Sequence, residues 1–246
     1  MWQLRLGISK IGKYASRDSG DTVEVVERPG GGLSVVIADA QGTGANARTL
    51  SNLISARAVA LLKDGTRDTA VHEAAHDFLF AYKGGRVSCT LTTVSADTQS
   101  RCFRVTANSN TATYCVRPSG CIELVPASSP LGITPGLTPA TGSAPLAPDT
   151  CIVACTDGVT RAGGRGGTGL KLPELLRSKE CAGLDVVALA DRILAAALEC
   201  DRHRPVDDMT VVVAGVVPGT LELAPRRLSV ELPLRDDMLV MPSGEG

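Results

Sequence analysis

The chain has 246 residues, 43% hydrophobic, 21% charged and only 3% aromatic, with a formal net charge of -1. That length holds one sizeable core or at most two domains, and a near-neutral charge spread without a basic block gives no electrostatic reason to expect nucleic acid as a partner. No apolar run approaches the ~18 residues that span a bilayer, and the opening MWQLRLGISK lacks a signal-peptide core, so the expectation is a cytoplasmic protein without membrane contact.

Short alternating or apolar runs come first in chain order: WQLRLGI from Trp2, TVEVVE from Thr22 and LSVVIAD ending at Asp39 read as strands. Two helical patterns follow, from Gly44 to Gly65 and from Arg67 to Gly85, each closed by glycine where a left-handed cap ends a helix. Four more strands are expected in RVSCTLTTVSA, RCFRVTAN, ATYCVRP and CIELV, between Arg86 and Val125. The Pro/Gly/Thr/Ser-rich stretch from Pro126 to Asp149 reads as a loop excursion, and the apolar TCIVACTD after it as a strand. Helices are expected near KLPELLRS and in GLDVVALADRILAAALEC, then a strand in DMTVVVAGVV. The tail TLELAPRRLSVELPL alternates as an extra hairpin would, so the chain divides into a domain over 1–217 and an extension over 218–246 that frays at its end. Strands in runs with helices in pairs argue for an α+β sandwich over a doubly wound sheet.

Eight cysteines fall mostly inside apolar patterns and none forms CxxC, so they read as small buried hydrophobes. HEAAH, His72 to His76, is a literal HExxH, but Val71, Ala74, Ala75, Phe78 and Tyr82 set the apolar face by their spacing. That leaves both histidines on a solvated flank, and no third zinc ligand follows. GTGANA after the third strand and GRGGTG from Gly164 fit glycine-rich nucleotide loops in letters only: Asp39 intervenes before the first, and no second strand with a ribose-binding acid follows.

The acids are more telling. Asp21 precedes a strand, Asp39 and Asp157 follow strands, and Asp207 with Asp208 precedes another. Any one of these is an ordinary turn aspartate, but carboxylates at the ends of buried strands are costly unless neutralised. No basic residue accompanies each at a fixed spacing, whereas hard divalent ions suit such oxygens.

In order along the chain, SGD at Ser19, ADAQGTGA at Ala38, SSPLGI at Ser128, CTDGVTRA at Cys155 and DDMTVVV at Asp207 resemble the motifs of metal-dependent protein phosphatases of the protein phosphatase 2C type. The bacterial branch typified by the sporulation stage II protein E phosphatase is the most similar. The resemblance spans about Leu4 to Val216 and implies an αββα sandwich, two central antiparallel sheets flanked by helix pairs, with two Mn²⁺ or Mg²⁺ ions at one edge. It implies that Asp39 bridges both ions, that the Ala40 carbonyl binds one, that Asp157 and Asp207 complete the other shell, that Asp21 holds water in a metal shell, and that Asp208 is a supporting acid. The activity implied is hydrolysis of phosphoserine or phosphothreonine by a metal-activated water. The substrate class implied is a phosphorylated signalling protein, such as a small anti-sigma-factor antagonist or a stressosome component.

Two departures bear on activity. Ala40 stands where the family usually has glycine and would cost ~1 kcal/mol if that backbone needed positive φ, and Gln41 replaces a histidine of eukaryotic relatives that serves as general acid. Ala40 sustains an alternative, a catalytically weak or inactive domain that regulates a partner by docking. Lys10, Lys13 and Arg17 are candidates for phosphate contact, and the helix pair after Asp39 is placed to move a ligand if a partner shifts it.

Overall fold

A computed structural model of the chain describes residues 1–16, 19–164, 169–219, 227–231 and 233. Among the described residues, ten strands form two antiparallel sheets of five. One is ordered β1 (Trp2–Ile11), β10 (Met209–Pro218), β9 (Cys151–Cys155), β6 (Thr113–Arg117), β7 (Gly120–Val125); the other runs β2 (Asp21–Glu27), β3 (Leu33–Ala40), β4 (Cys89–Asp97), β5 (Cys102–Asn108), β8 (Ala140–Pro145). Helices α1 (Gly44–Lys63) and α2 (Asp68–Lys83) cover the outer face of the β2–β8 sheet. The outer face of the other sheet carries α3 (Asp157–Thr160), α4 (Leu172–Leu176) and α5 (Val186–Cys200). The expected αββα order is the one observed.

Each interface follows from period. Inward positions of the strands, including Val35, Ile37, Val94, Val105, Ile152 and Val212, fill the layer between the sheets, where Phe103 is fully buried and the largest side chain. The stripe Leu50, Ile54, Ala58 and Leu62 seats α1 on β2 and β3 at helical spacing. On the opposite face Asp185 caps α5, its Oδ1 accepting from the Val187 and Ala188 amides at 2.9 Å. Gly7 lets α5 lie against β1, since a Cβ there would stand 2.2 Å from the Val186 carbonyl oxygen.

Two expectations need correction. The stretch from Pro126 to Asp149 is not all loop: Ala140–Pro145 is β8, paired with β5 at the sheet edge. Its apolar alternation is missing because β7 crosses close above it; a Cβ on Gly142 would meet the Leu124 carbonyl at 2.5 Å. The histidines of HEAAH are not on a solvated flank either. His72 is fully buried and His76 nearly so, while Tyr82 is exposed. Most of the 218–246 extension, where a hairpin is expected, lies outside the described residues; those described at 227–231 and 233 are exposed and outside any strand. Among the described residues no helix is long and apolar enough to cross a membrane.

Candidate metal centre

The antiparallel register of β2 and β3 sets Asp21 directly opposite Asp39. On the other sheet β9 and β10 are neighbours, so the turn leaving β9 at Asp157 lies against Asp207 and Asp208, which lead into β10. That approach needs a glycine: a Cβ on Gly158 would come within 2.0 Å of the Asp208 carbonyl oxygen and 3.3 Å of the Asp207 Cβ. All five predicted acids meet at one end of the sandwich, where the charges of Asp21, Asp157, Asp207 and Asp208 act together on Asp39.

Two threonines stitch the sheets at this end. Asp21 Oδ2 accepts from Thr156 Oγ1 at 2.9 Å and from Thr210 Oγ1 at 2.5 Å, whereas its Oδ1 is buried with no partner. Burial, only partly offset by the Thr210 and Thr156 hydroxyls, raises the Asp21 carboxyl to about 6. Asp39 goes further: burial first, then its four acidic neighbours, push it up to about 9. Burial also raises Asp207, against an amide hydrogen bond from Asp208. Asp208 faces inward as a structural acid, Oδ1 accepting the Lys13 amide at 2.8 Å and Oδ2 the Gly20 amide at 2.6 Å. The Ala40 carbonyl oxygen sits on this side too, 3.9 Å from where a Gly20 Cβ would be.

An orphaned buried carboxylate oxygen and a carboxyl that keeps its proton to about 9 are what a cluster of acids shows when it lacks positive charge, so hard cations fit this set. Among the described residues no three carboxylate, histidine or cysteine side chains close around a single point. An ion held here would therefore take one or two carboxylates, with carbonyl and water oxygens to fill its shell, as Mg²⁺ habitually does. Thiolate ligation does not suit this end of the sandwich, because burial pushes the Cys155 thiol up to about 12 and the Cys89 thiol up as well.

The remaining motifs act around this centre. Ala40 is buried in β3 and is not among the residues with positive φ, so the strain expected from replacing glycine does not arise. Gln41 is tied down: its Oε1 accepts from the Ser88 amide at 3.1 Å and the Ser88 hydroxyl at 3.2 Å. The glycines of GTGANA turn the chain from β3 into α1, with Gly42 at φ 117° and Gly44 at φ 68°. SSPLGI clamps α2 to β4, since Leu131 bridges Cys89 through backbone bonds and the Gly132 amide donates to His76 Nδ1 at 3.1 Å. His72 spends both ring nitrogens on Asn108 Oδ1 and Thr93 Oγ1, at 2.9 and 3.0 Å, which leaves no zinc ligand. Lys10 donates to the Asp21 carbonyl, and Arg17 lies outside the described residues.

Sequence reasoning passed over Thr156, Thr210, Asn110 and Arg161. The threonines were visible as neighbours of the acids in CTDG and DDMT, but nothing in the sequence says that their hydroxyls cross between sheets. Asn110 Nδ2 and the Arg161 guanidinium both reach Asp157 Oδ2, at 2.9 and 2.8 Å.

Residues 29–217 match the stage II sporulation protein E (SpoIIE) family. No curated protein matches the chain. Among solved structures, the phosphatase domain with a regulatory fragment of SpoIIE from Bacillus subtilis is similar at TM-score 0.74 and 18% identity; the match covers 89% of this chain and 65% of that one, so the chain spans just under two thirds of its length. The RsbU and RsbW domains of a Mycobacterium tuberculosis protein match at TM-score 0.71 and 19% identity over 89% of this chain and 61% of that one. The catalytic domain of the serine/threonine phosphatase PstP, solved with 2 manganese ions, matches at TM-score 0.68 and 17% identity over 89% and 100%. These likenesses share the fold.

Proposed function

The chain belongs to the SpoIIE family of protein phosphatase 2C-type phosphatases, and from that premise we propose that it is a manganese- or magnesium-dependent protein-serine/threonine phosphatase. The observation that carries this reading is the convergence of Asp21, Asp39, Asp157, Asp207 and Asp208 from both sheets on one end of the sandwich, with a buried oxygen of Asp21 left unpartnered.

Asp39, Asp157 and Asp207 are the acids we assign to holding two ions, with the Ala40 carbonyl and Asp21 contributing on the Asp39 side. Bound there, divalent ions supply positive charge for a phosphate dianion and acidify water to a nucleophile at neutral pH. The protein's own part is arrangement. Asp208 fixes the backbone at Lys13 and Gly20, Thr156 and Thr210 orient the Asp21 carboxylate, and Gly158 permits Asp157 and Asp207 to stand together. Gln41, an amide with no proton to give near neutral pH, cannot protonate a leaving serine, so turnover is expected to be slow. We take 1–217 as the phosphatase domain and 218–246 as an extension.

The docking-only alternative rested on Ala40, and the absence of backbone strain there removes its main support. For substrate, a phosphorylated anti-sigma-factor antagonist or stressosome scaffold is the first candidate. It is supported by the RsbU–RsbW neighbour and by a neighbour described with the bacterial stressosome. The test is phosphate release from such a phosphoprotein, and from para-nitrophenyl phosphate, with and without Mn²⁺. Asp39→Asn should lower the metal-dependent rate by ~10³-fold or more, in line with losing a central electrostatic group. Equal rates in wild type and variant would show that any activity comes from elsewhere.

A further inference from the structure

Beside the acids lies a cavity of about 420 Å³ whose lining includes Asp157, Gly158, Arg161, Val206 and Asp207. Among the described residues that line it, Arg161 alone is positively charged. Its guanidinium sits 2.8 Å from Asp157 Oδ2, one helical turn away. The two ends of this pair differ in setting: the Asp157 side chain is 13% exposed and that of Arg161 is 68% exposed. An ion pair with one partner so open to water is weak, so a divalent cation competing for the same oxygen displaces the arginine at little cost.

Displacement does not send Arg161 away. Its Cα is fixed at the C-terminal end of α3, where its amide donates to the Asp157 carbonyl at 2.8 Å, so the freed side chain stays at the rim of the cavity. A phosphate entering beside Asp157 and Asp207 meets two carboxylates, which repel it until cations neutralise them. A planar guanidinium at the rim matches phosphate oxygens in a two-pronged hydrogen bond. Lys10 is less available, because its ammonium already donates to the Asp21 carbonyl.

We propose that Arg161 is the phosphate-contacting residue of this site, held on Asp157 as a stand-in cation until a divalent ion takes that carboxylate, and then released to the substrate phosphoryl group. The proposal rests on the phosphatase reading above. It is tested by calorimetric titration of the full chain in two stages, neither of which needs turnover. First, Mn²⁺ is titrated into metal-free wild type, Arg161→Gln and Arg161→Lys; removing the competing charge should tighten Mn²⁺ binding about three- to tenfold in Arg161→Gln, with Arg161→Lys closer to wild type. Second, inorganic phosphate is titrated into the Mn²⁺-loaded proteins; Arg161→Gln should bind it about tenfold more weakly, and Arg161→Lys, which keeps charge but loses the fork, should fall between. Arg161 is exposed, so these variants keep the fold. If wild type binds both ligands and Arg161→Gln matches it in either titration, the assignment of Arg161 is overturned while the phosphatase reading stands. A wild type that binds neither Mn²⁺ nor phosphate overturns both.

Discussion

At the scale of single residues, Asp39 concentrates the physics of the site. Burial and four neighbouring acids let the folded chain keep a proton on this carboxyl up to about 9, whereas the unfolded chain releases it near an ordinary carboxylate value of about 4. Across that interval the folded state binds more protons, so its stability falls as pH rises. The contribution is fully present at the acid end and is lost as pH climbs through the folded value. Metal-free protein is therefore expected to melt at progressively lower temperature from pH 5 to pH 9, a trend that Mn²⁺ should cancel by supplying the missing charge. Asp39→Asn carries no titrating group, and its melting temperature in chelator should be flatter with pH and above that of wild type at the alkaline end. Parallel melting curves for the two chelated proteins would contradict the placement of Asp39 among unneutralised acids. Ala40, next door, shows the limit of reading residues alone. The family habit of glycine suggested strain, and only the backbone shows that alanine sits in an ordinary extended strand.

At the scale of elements, most strands were legible because each buries one face or both, and the glycine-closed helices because their apolar stripes recur at helical spacing. What escaped had its cause in a neighbour. β8 hides because β7 runs too close for side chains at Gly142, and the α2 histidines were misplaced because a polar residue on a buried stripe reads as the edge of the stripe. Their burial is offset by hydrogen bonds: His72 joins α2 to β5 through Asn108 and to β4 through Thr93. Desolvation, only partly countered by Asn108, lowers His72 to about 4, below the ~6.5 of a free histidine. Between those values the unfolded chain binds the extra proton, so this group's contribution is present above about 6.5 and is lost as pH falls toward 4. His72→Ala should cost roughly 2–4 kcal/mol at neutral pH, from a cavity and two polar partners left unpaired. The same variant should lose less stability than wild type between pH 6.5 and pH 4. Urea denaturation at the two pH values measures both effects, and a neutral-pH loss below about 1 kcal/mol would mean that α2 is held by its apolar stripe alone.

At the scale of the whole molecule, the acid cluster proposed to hold metal straddles the joint between the sheets. Asp21 belongs to one sheet, yet both hydroxyls that hold its Oδ2 come from the other, Thr156 just after β9 and Thr210 in β10. The two threonines are themselves coupled, the Thr210 amide donating to Thr156 Oγ1 and the Thr156 amide to the Thr210 carbonyl, both at 3.0 Å. Ions held across this joint, as proposed, would bind the folded chain and not the unfolded one, which would make occupancy and sandwich stability one equilibrium. Free Mn²⁺ at about one hundred times its Kd should add ~2.7 kcal/mol, which for a chain of this size raises Tm by roughly 5–10 °C. Thr210→Val keeps the shape of the side chain but removes one of the two donors to Asp21. The variant should lose about 1–2 kcal/mol without metal, and its Tm gain at the same Mn²⁺ concentration should be smaller than that of wild type, because a carboxylate less firmly aimed binds the ion more weakly. A Thr210→Val protein with the full wild-type Tm gain would mean that Asp21 takes no part in holding the ions and serves only to fasten the two sheets together.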